Sequence, residues 1–243
     1  MRPTLLLLLV LACSSIADPA PAPSPGRYRV LFVGNSLTYT NDLPAVVTAI
    51  GLAAGDTFVT KTLAFPDWGL QDHWETGTAP EEIASDSWDF VVMQQGPSSL
   101  TASRVDLLHW AGLFGPFAHE HHACPAFYMV WPPKASIGAF DAVRDHYREA
   151  ADSAHGLFLP AGEAWRIAWR ADTSFAFYGP DNFHPSPLGT YVAALTIYAG
   201  ITGRSPKGNS AEVPGLSVTT IAKQELQGAA AEAVAGLDRR CGN

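Results

Sequence analysis

The sequence predicts a single α/β domain built on a parallel sheet of about five strands. Two observations carry this. Short β-branched or apolar runs alternate with longer stretches whose apolar residues recur at helical spacing. The middle runs are apolar almost throughout, as expected where helices cover both faces of a sheet. Such alternation implies parallel strands joined by helical crossovers. The 243 residues suffice for one domain of this kind with a sizeable core.

Residues 27–33 (RYRVLFV) read as a first strand, ended by Gly34. Residues 42–54 read as a helix, with Leu43, Val46, Val47 and Ile50 on one face. Residues 57–63 (TFVTKTL) form a second strand and 88–93 (WDFVVM) a third. A helix over 103–119 leads to a fourth strand at 126–131 (AFYMVW), stopped by Pro132-Pro133. After a helix over 139–155, residues 156–160 (GLFLP) are a weak fifth strand. Residues 187–202 and 220–237 read as helices. The chain shows no internal repeat and no linker that would split the domain.

Composition narrows the function classes. Hydrophobic residues are 47% and charged residues 16%, so most of the chain can pay for folding by burial. The net charge is −8, which argues against a nucleic-acid partner, since such binding rests on cationic surface.

The first residues read as an export address. Arg2 precedes an apolar run of eight, residues 5–12 (LLLLLVLA). Spanning a bilayer takes about twenty apolar residues, so this run suits a secretory signal instead. Val10-Leu11-Ala12-Cys13 looks like a bacterial lipobox, in which Cys13 becomes the lipidated first residue; an ordinary cut near Ala17 is the alternative. Residues 13–27, rich in Pro, Ala and Ser, read as a tether, and 28–243 as the domain. The expected location is periplasmic or cell-surface, with the lipid as the only membrane contact. Cys124 and Cys241 are then left in an oxidising compartment, where pairing is chemically open to them.

In parallel α/β sheets, ligands bind beyond the carboxyl ends of the strands. That rule selects the loops 34–38, 64–74, 94–99 and 132 onward. Ser36 stands just after the first strand. A nucleophilic serine needs a base, and His184 in Tyr178-Gly179-Pro180-Asp181-Asn182-Phe183-His184-Pro185 is the best candidate. Asp181, three residues earlier, can orient the imidazole from within one short loop. Taken singly, a serine there is more often a helix N-cap, and a histidine before proline a surface loop residue.

The combination resembles a known family. Gly34-Asn35-Ser36-Leu37-Thr38 is similar to the first signature block of the SGNH (GDSL-type) hydrolases, and Asp181-Asn182-Phe183-His184-Pro185 to their last. Leu70-Gln71-Asp72-His73-Trp74 and Val91-Val92-Met93-Gln94-Gln95-Gly96-Pro97-Ser98-Ser99 occupy the middle-block positions. The resemblance covers nearly everything from residue 28. It implies a flavodoxin-like three-layer αβα sandwich and an ester hydrolase without metal or other cofactor. Ser36 would be the nucleophile, His184 the base and Asp181 its orienting acid.

The family's oxyanion hole combines the nucleophile's N–H, a second-block Gly N–H and a third-block Asn side chain. Here Asn35 replaces the usual Asp beside the nucleophile. Gly69 is the nearest second-block glycine, with Asp67 and Trp68 as rival positions. The family's Asn falls on Ser98, and Gln95 is the preferred substitute because its amide can donate; Gln94 and Ser98 are rivals.

His119-Glu120-His121-His122 lacks metalloprotease spacing and reads as a solvated helix end. Trp68, Trp74, Trp131, Tyr178 and His73 lie near strand or loop ends, as core or as substrate contacts, with core preferred for Trp131. The expected activity is hydrolysis of small acyl esters, acetyl groups on carbohydrate first. A lipid or lysophospholipid esterase is one rival. A binding lipoprotein that kept the fold without turnover is the other. The partner is a small-molecule or glycan ester, and the oligomeric state stays open.

Overall fold

The computed structural model describes residues 24–241. The leader, Cys13 and most of the tether therefore lie outside the described residues. The domain begins where Gly26 donates to Asp56 Oδ1 (2.7 Å) and accepts from Thr57 N (2.9 Å). Arg27, which the sequence reading puts at the end of a tether, is instead the first residue of the sheet.

Strand β1 (Arg27–Gly34) opens the sheet, and Val30 to Val33 in it are fully buried. The next elements in the chain are helix α1 (Ser36–Tyr39), helix α2 (Leu43–Ala53) and strand β2 (Thr57–Ala64). Helices α3 (Leu70–Glu75) and α4 (Thr78–Ser85) lead to strand β3 (Phe90–Met93). Helix α5 (Thr101–Glu120), strand β4 (Cys124–Tyr128), helix α6 (Phe140–Ser153) and strand β5 (Leu157–Leu159) follow. Helices α7 (Ala161–Ala171), α8 (Pro187–Thr202) and α9 (Thr220–Ala233) complete the domain.

The five strands lie in the order β2-β1-β3-β4-β5, all parallel. Helices α3, α5 and α6 pack on one face, and α2 and α8 on the other, with α7 and α9 outside α8. This is the three-layer αβα arrangement. Helix α8 explains its own continuous hydrophobicity: residues Gly189 to Ile201 are all buried, because it lies between the sheet and an outer helix pair. Ser186 caps it, Pro187 opens it and Gly203, at φ 72°, closes it in the left-handed conformation an L side chain resists.

Three expectations shift. Strand β3 starts at Phe90, because Asp89 pairs with the edge of β1 through Arg29 and leaves Trp88 outside the ladder. Strand β4 starts at Cys124 and stops at Tyr128. Its neighbour β5 ends at Leu159, so Met129 to Trp131 run on buried but without ladder partners beyond the Met129 N–H. Helix α9 stops at Ala233, short of the expected 237. Cys124 and Cys241 form a disulfide, with Cα atoms 5.7 Å apart, that pins the C-terminal segment to the start of β4. Among the described residues no helix is long and apolar enough to cross a membrane.

Candidate active site

Strands β2 and β3 lie on opposite sides of β1, so the chain reverses its winding direction there. The gap beyond the carboxyl end of β1 is the switch point where open α/β sheets bind ligands. Ser36 stands at that point. The N-cap of α1 is Asn35, whose Oδ1 accepts from Leu37 N at 3.0 Å. The serine is therefore released from capping, and it lines a crevice of about 570 Å³.

The loop that carries Ser36 is held from below by a buried amide. Gln94 Oε1 accepts from Asn35 N (3.1 Å) and Thr38 Oγ1 (2.8 Å), and Gln94 Nε2 donates to Asn35 Oδ1 (2.9 Å). Asn35 Nδ2 donates to the Trp68 carbonyl at 2.9 Å, a bond the family's usual Asp has no proton to make. Gly34 has no room for a side chain, since a Cβ there would strike Thr38 Oγ1 and Gln94 Oε1. His73, fully buried, donates from Nε2 to the Gly34 carbonyl at 2.8 Å. Burial lowers its pKa, against the opposing pull of the Gly34 hydrogen bond and of Asp72.

His184 and Asp181 sit on a tight loop at the same edge. Asp181 Oδ1 accepts from the N–H groups of Phe183 (3.0 Å) and His184 (2.9 Å), while Oδ2 meets His184 Nδ1 at 2.5 Å. The hydrogen bond from His184 comes first among the causes that hold the Asp181 carboxyl down at about 2. Nδ1 is thereby occupied, and Nε2 is the nitrogen left to act. The loop is tied at several points. Trp131 Nε1 donates to the Phe183 carbonyl (2.9 Å), Lys134 N to the Asn182 carbonyl (2.9 Å), and Gly179 N to the His184 carbonyl (2.7 Å). Asn41 Nδ2 donates to the Pro185 carbonyl and to Thr190 Oγ1, both at 2.9 Å, joining the nucleophile's segment to the base's. No hydrogen bond links Ser36 to His184 among the described residues, a common state of such pairs before substrate arrives.

Gly69 and Gln95 line the same crevice as Ser36, but their donors already have partners. The Gly69 N–H donates to Asp72 Oδ2 (2.7 Å) at the start of α3. Gln95 Nε2 donates to Ser98 Oγ (2.9 Å) and Asp106 Oδ2 (3.2 Å). A carboxylate only accepts, so Asp106 fixes which end of the amide is the nitrogen. The free end, Oε1, is a buried acceptor without a partner, and an acceptor would repel an oxyanion. The expectation that Gln95 is the third donor is corrected on this ground. Gln94 is not a substitute, being engaged behind the loop, and Ser98 Oγ donates to the Gly96 carbonyl (3.1 Å).

The aromatic candidates separate. Trp131 is core, stacked 3.6 Å from Trp165. Trp74 packs edge-on against Phe114 and Phe117. Trp68 lines the crevice beside Ser36. His119 to His122 end α5, with His119 against the Ala154 carbonyl, and among the described residues no metal-binding group of three or more His, Cys, Asp or Glu occurs.

Sequence reasoning missed Asn41, Gln94's structural role and Tyr147. The Tyr147 hydroxyl lies 2.9 Å from both the Gln95 and Gly96 carbonyls, shares its one proton between them and accepts from Gln95 N (3.2 Å), which fixes the loop after β3. Only Asn41 carried a local signal, an Asn in a Thr-Asn-Asp turn, where it adopts φ 55°.

No known family's sequence profile matches the chain, and no curated protein matches it at a significant level. Solved structures do. A DUF4886 family protein from Bacteroides uniformis is similar with TM-score 0.74 at 19% identity, over 86% of this chain and 95% of that one. A proposed SGNH hydrolase from Slackia heliotrinireducens has TM-score 0.61 at 23% identity, over 71% and 97%. A lipase/acylhydrolase from Enterococcus faecalis has TM-score 0.59 at 12% identity, over 73% and 96%.

Proposed function

We propose that this chain, which has the fold of the SGNH hydrolases, is a serine ester hydrolase acting on small acyl esters, acetyl groups on carbohydrate foremost. One observation carries the reading. An uncapped serine at the switch point of the sheet shares the carboxyl edge with an imidazole whose Nδ1 is held by a carboxylate at 2.5 Å.

Ser36 Oγ attacks the ester carbonyl carbon and passes its proton to His184 Nε2. The carbonyl oxygen becomes an oxyanion, met by the Ser36 N–H, which the Asn35 cap leaves free. The Gly69 N–H joins it by exchanging one anionic acceptor, Asp72, for another. Collapse breaks the bond to the alcohol oxygen, which leaves with the proton from His184. Water, deprotonated by His184, then releases the acid and restores Ser36. Asp181 holds the tautomer and stabilises the imidazolium in both halves.

The test is p-nitrophenyl acetate hydrolysis together with fluorophosphonate labelling. Ser36→Ala lowers turnover by roughly 10⁶ and abolishes labelling. Near-normal turnover in that variant would sink the mechanism.

We also propose export and lipid anchoring through Cys13. The disulfide suits an oxidising compartment. Cys13→Ser should release the protein from the membrane fraction or leave its leader uncleaved. A wild-type protein that is soluble and starts after Ala17 would remove the anchor.

A further inference from the structure

A second hollow, of about 410 Å³, lies against the other flank of the loop that carries His184. Trp169, Phe175, Phe177 and Tyr178 wall it. The polar ends of two of these rings are turned away: Trp169 Nε1 donates to the Phe175 carbonyl (2.8 Å) and the Tyr178 hydroxyl to the Pro132 carbonyl (2.7 Å). The two rings lie 30° from parallel at 6.0 Å. At the mouth stand Lys134 and Asn182, both exposed, with Ile137, which is 50% exposed.

The two hollows share a partition. Along 133–137, Pro133 and Ser136 line the Ser36 crevice, while Lys134 and Ile137 line the second hollow. In the His184 loop, Phe183 lines the first and Asn182 the second. The hydrogen bond from Lys134 N to the Asn182 carbonyl joins the two halves of this wall. His184 follows Phe183 in this same loop, so an ester over Ser36 whose alcohol part extends past the base would cross this wall.

Resting on the ester-hydrolase reading, we propose that the second hollow binds a neighbouring sugar ring of the glycan whose acetylated unit occupies Ser36. The accessible parts of Trp169 and Tyr178, backed by the buried Phe175 and Phe177, suit the apolar C–H face of a pyranose. The Lys134 ammonium and the Asn182 amide suit its oxygen substituents. A site straddled in this way makes turnover depend on the length of the alcohol part.

The probes are O-acetylated cellotetraose, the singly acetylated glucose monomer and p-nitrophenyl acetate. Wild type should favour the tetraose over the monomer in kcat/KM by about tenfold, the worth of one good aromatic contact. Trp169→Ala and Ile137→Glu should each remove that preference when activity is normalised to p-nitrophenyl acetate. Ile137 is half exposed, so its variant remains informative if Trp169→Ala fails to fold. Binding of the tetraose to Ser36→Ala protein, followed by calorimetry, should weaken by a similar factor in both variants. A length preference that survives both changes, or no preference in wild type, overturns the subsite. Wild type inert toward p-nitrophenyl acetate while Ser36→Ala still binds the tetraose through Trp169 and Ile137 would overturn the hydrolase reading and keep the sugar site.

Discussion

Asn35 and Gln94 grip each other through two hydrogen bonds, backbone N–H to Oε1 at 3.1 Å and Nε2 to Oδ1 at 2.9 Å, and so lock the end of β3 to the residue beside the candidate nucleophile. Both are buried, Gln94 to 1% exposure. Gln94→Leu would strand the Asn35 N–H and the Thr38 hydroxyl. Each unsatisfied buried group costs about 1–3 kcal/mol. The expected outcome is a clearly lowered Tm and a fall in kcat larger than any rise in KM. A variant with unchanged Tm and turnover would show that the loop holds itself.

His73 acts on the same loop from the other side, through the Gly34 carbonyl. His73→Leu keeps the volume and removes the donor, leaving that carbonyl unpaired. His73→Asn can restore a donor. Turnover on p-nitrophenyl acetate should fall in the first variant and recover in part in the second. Equal loss in both would mean that packing against Phe65 and Trp68, rather than the hydrogen bond, is what matters.

The pH dependence follows from Asp181. Its folded-state pKa, about 2, lies below the ordinary carboxylate value, chiefly because His184 hydrogen-bonds its ionised form. A depressed acid stabilises the fold fully above its unfolded value, near 4, and this contribution disappears as pH falls through about 2. Asp181 is therefore ionised throughout the neutral range and holds the His184 Nδ1 proton while the ring works as base. Asp181→Asn should lower kcat by about 10⁴, as loss of the orienting acid does in other triads. An Asp181→Asn variant that turns over within about tenfold of wild type would remove Asp181 as the orienting acid.

Cys241→Ser opens the link to Cys124. A disulfide closing a loop this long, with 117 residues of separation, contributes about 2–4 kcal/mol in typical cases. The variant, and wild type under reductant, should unfold at lower denaturant while keeping turnover, because the bond lies at the amino end of β4, away from the crevice. Matching midpoints with and without reductant would contradict this.

The strand–helix alternation was legible because burial on both sheet faces demands runs such as Phe-Val-Val-Met, and helices one-sided on the core demand Leu43, Val46, Val47 and Ile50 at their spacing. Helix α7 was legible in the same way. Ala161, Ala164, Trp165 and Ala168 are its buried face, although the sequence reading places no helix there. Helices α3 and α4 are too short for periodicity to distinguish from loop.

The candidates Ser36, Asp181 and His184 could be picked out because each stands in a compact local motif, and the Asp181–His184 contact needs only three residues of chain. What no local pattern encodes is which partner a long amide finds. Gln94 and Gln95 are adjacent and chemically identical, and strand alternation turns them opposite ways. Only the tertiary structure decided that one meets Asn35 and the other Asp106, because those partners arrive from β1 and α5 and their positions are set by packing the whole sheet.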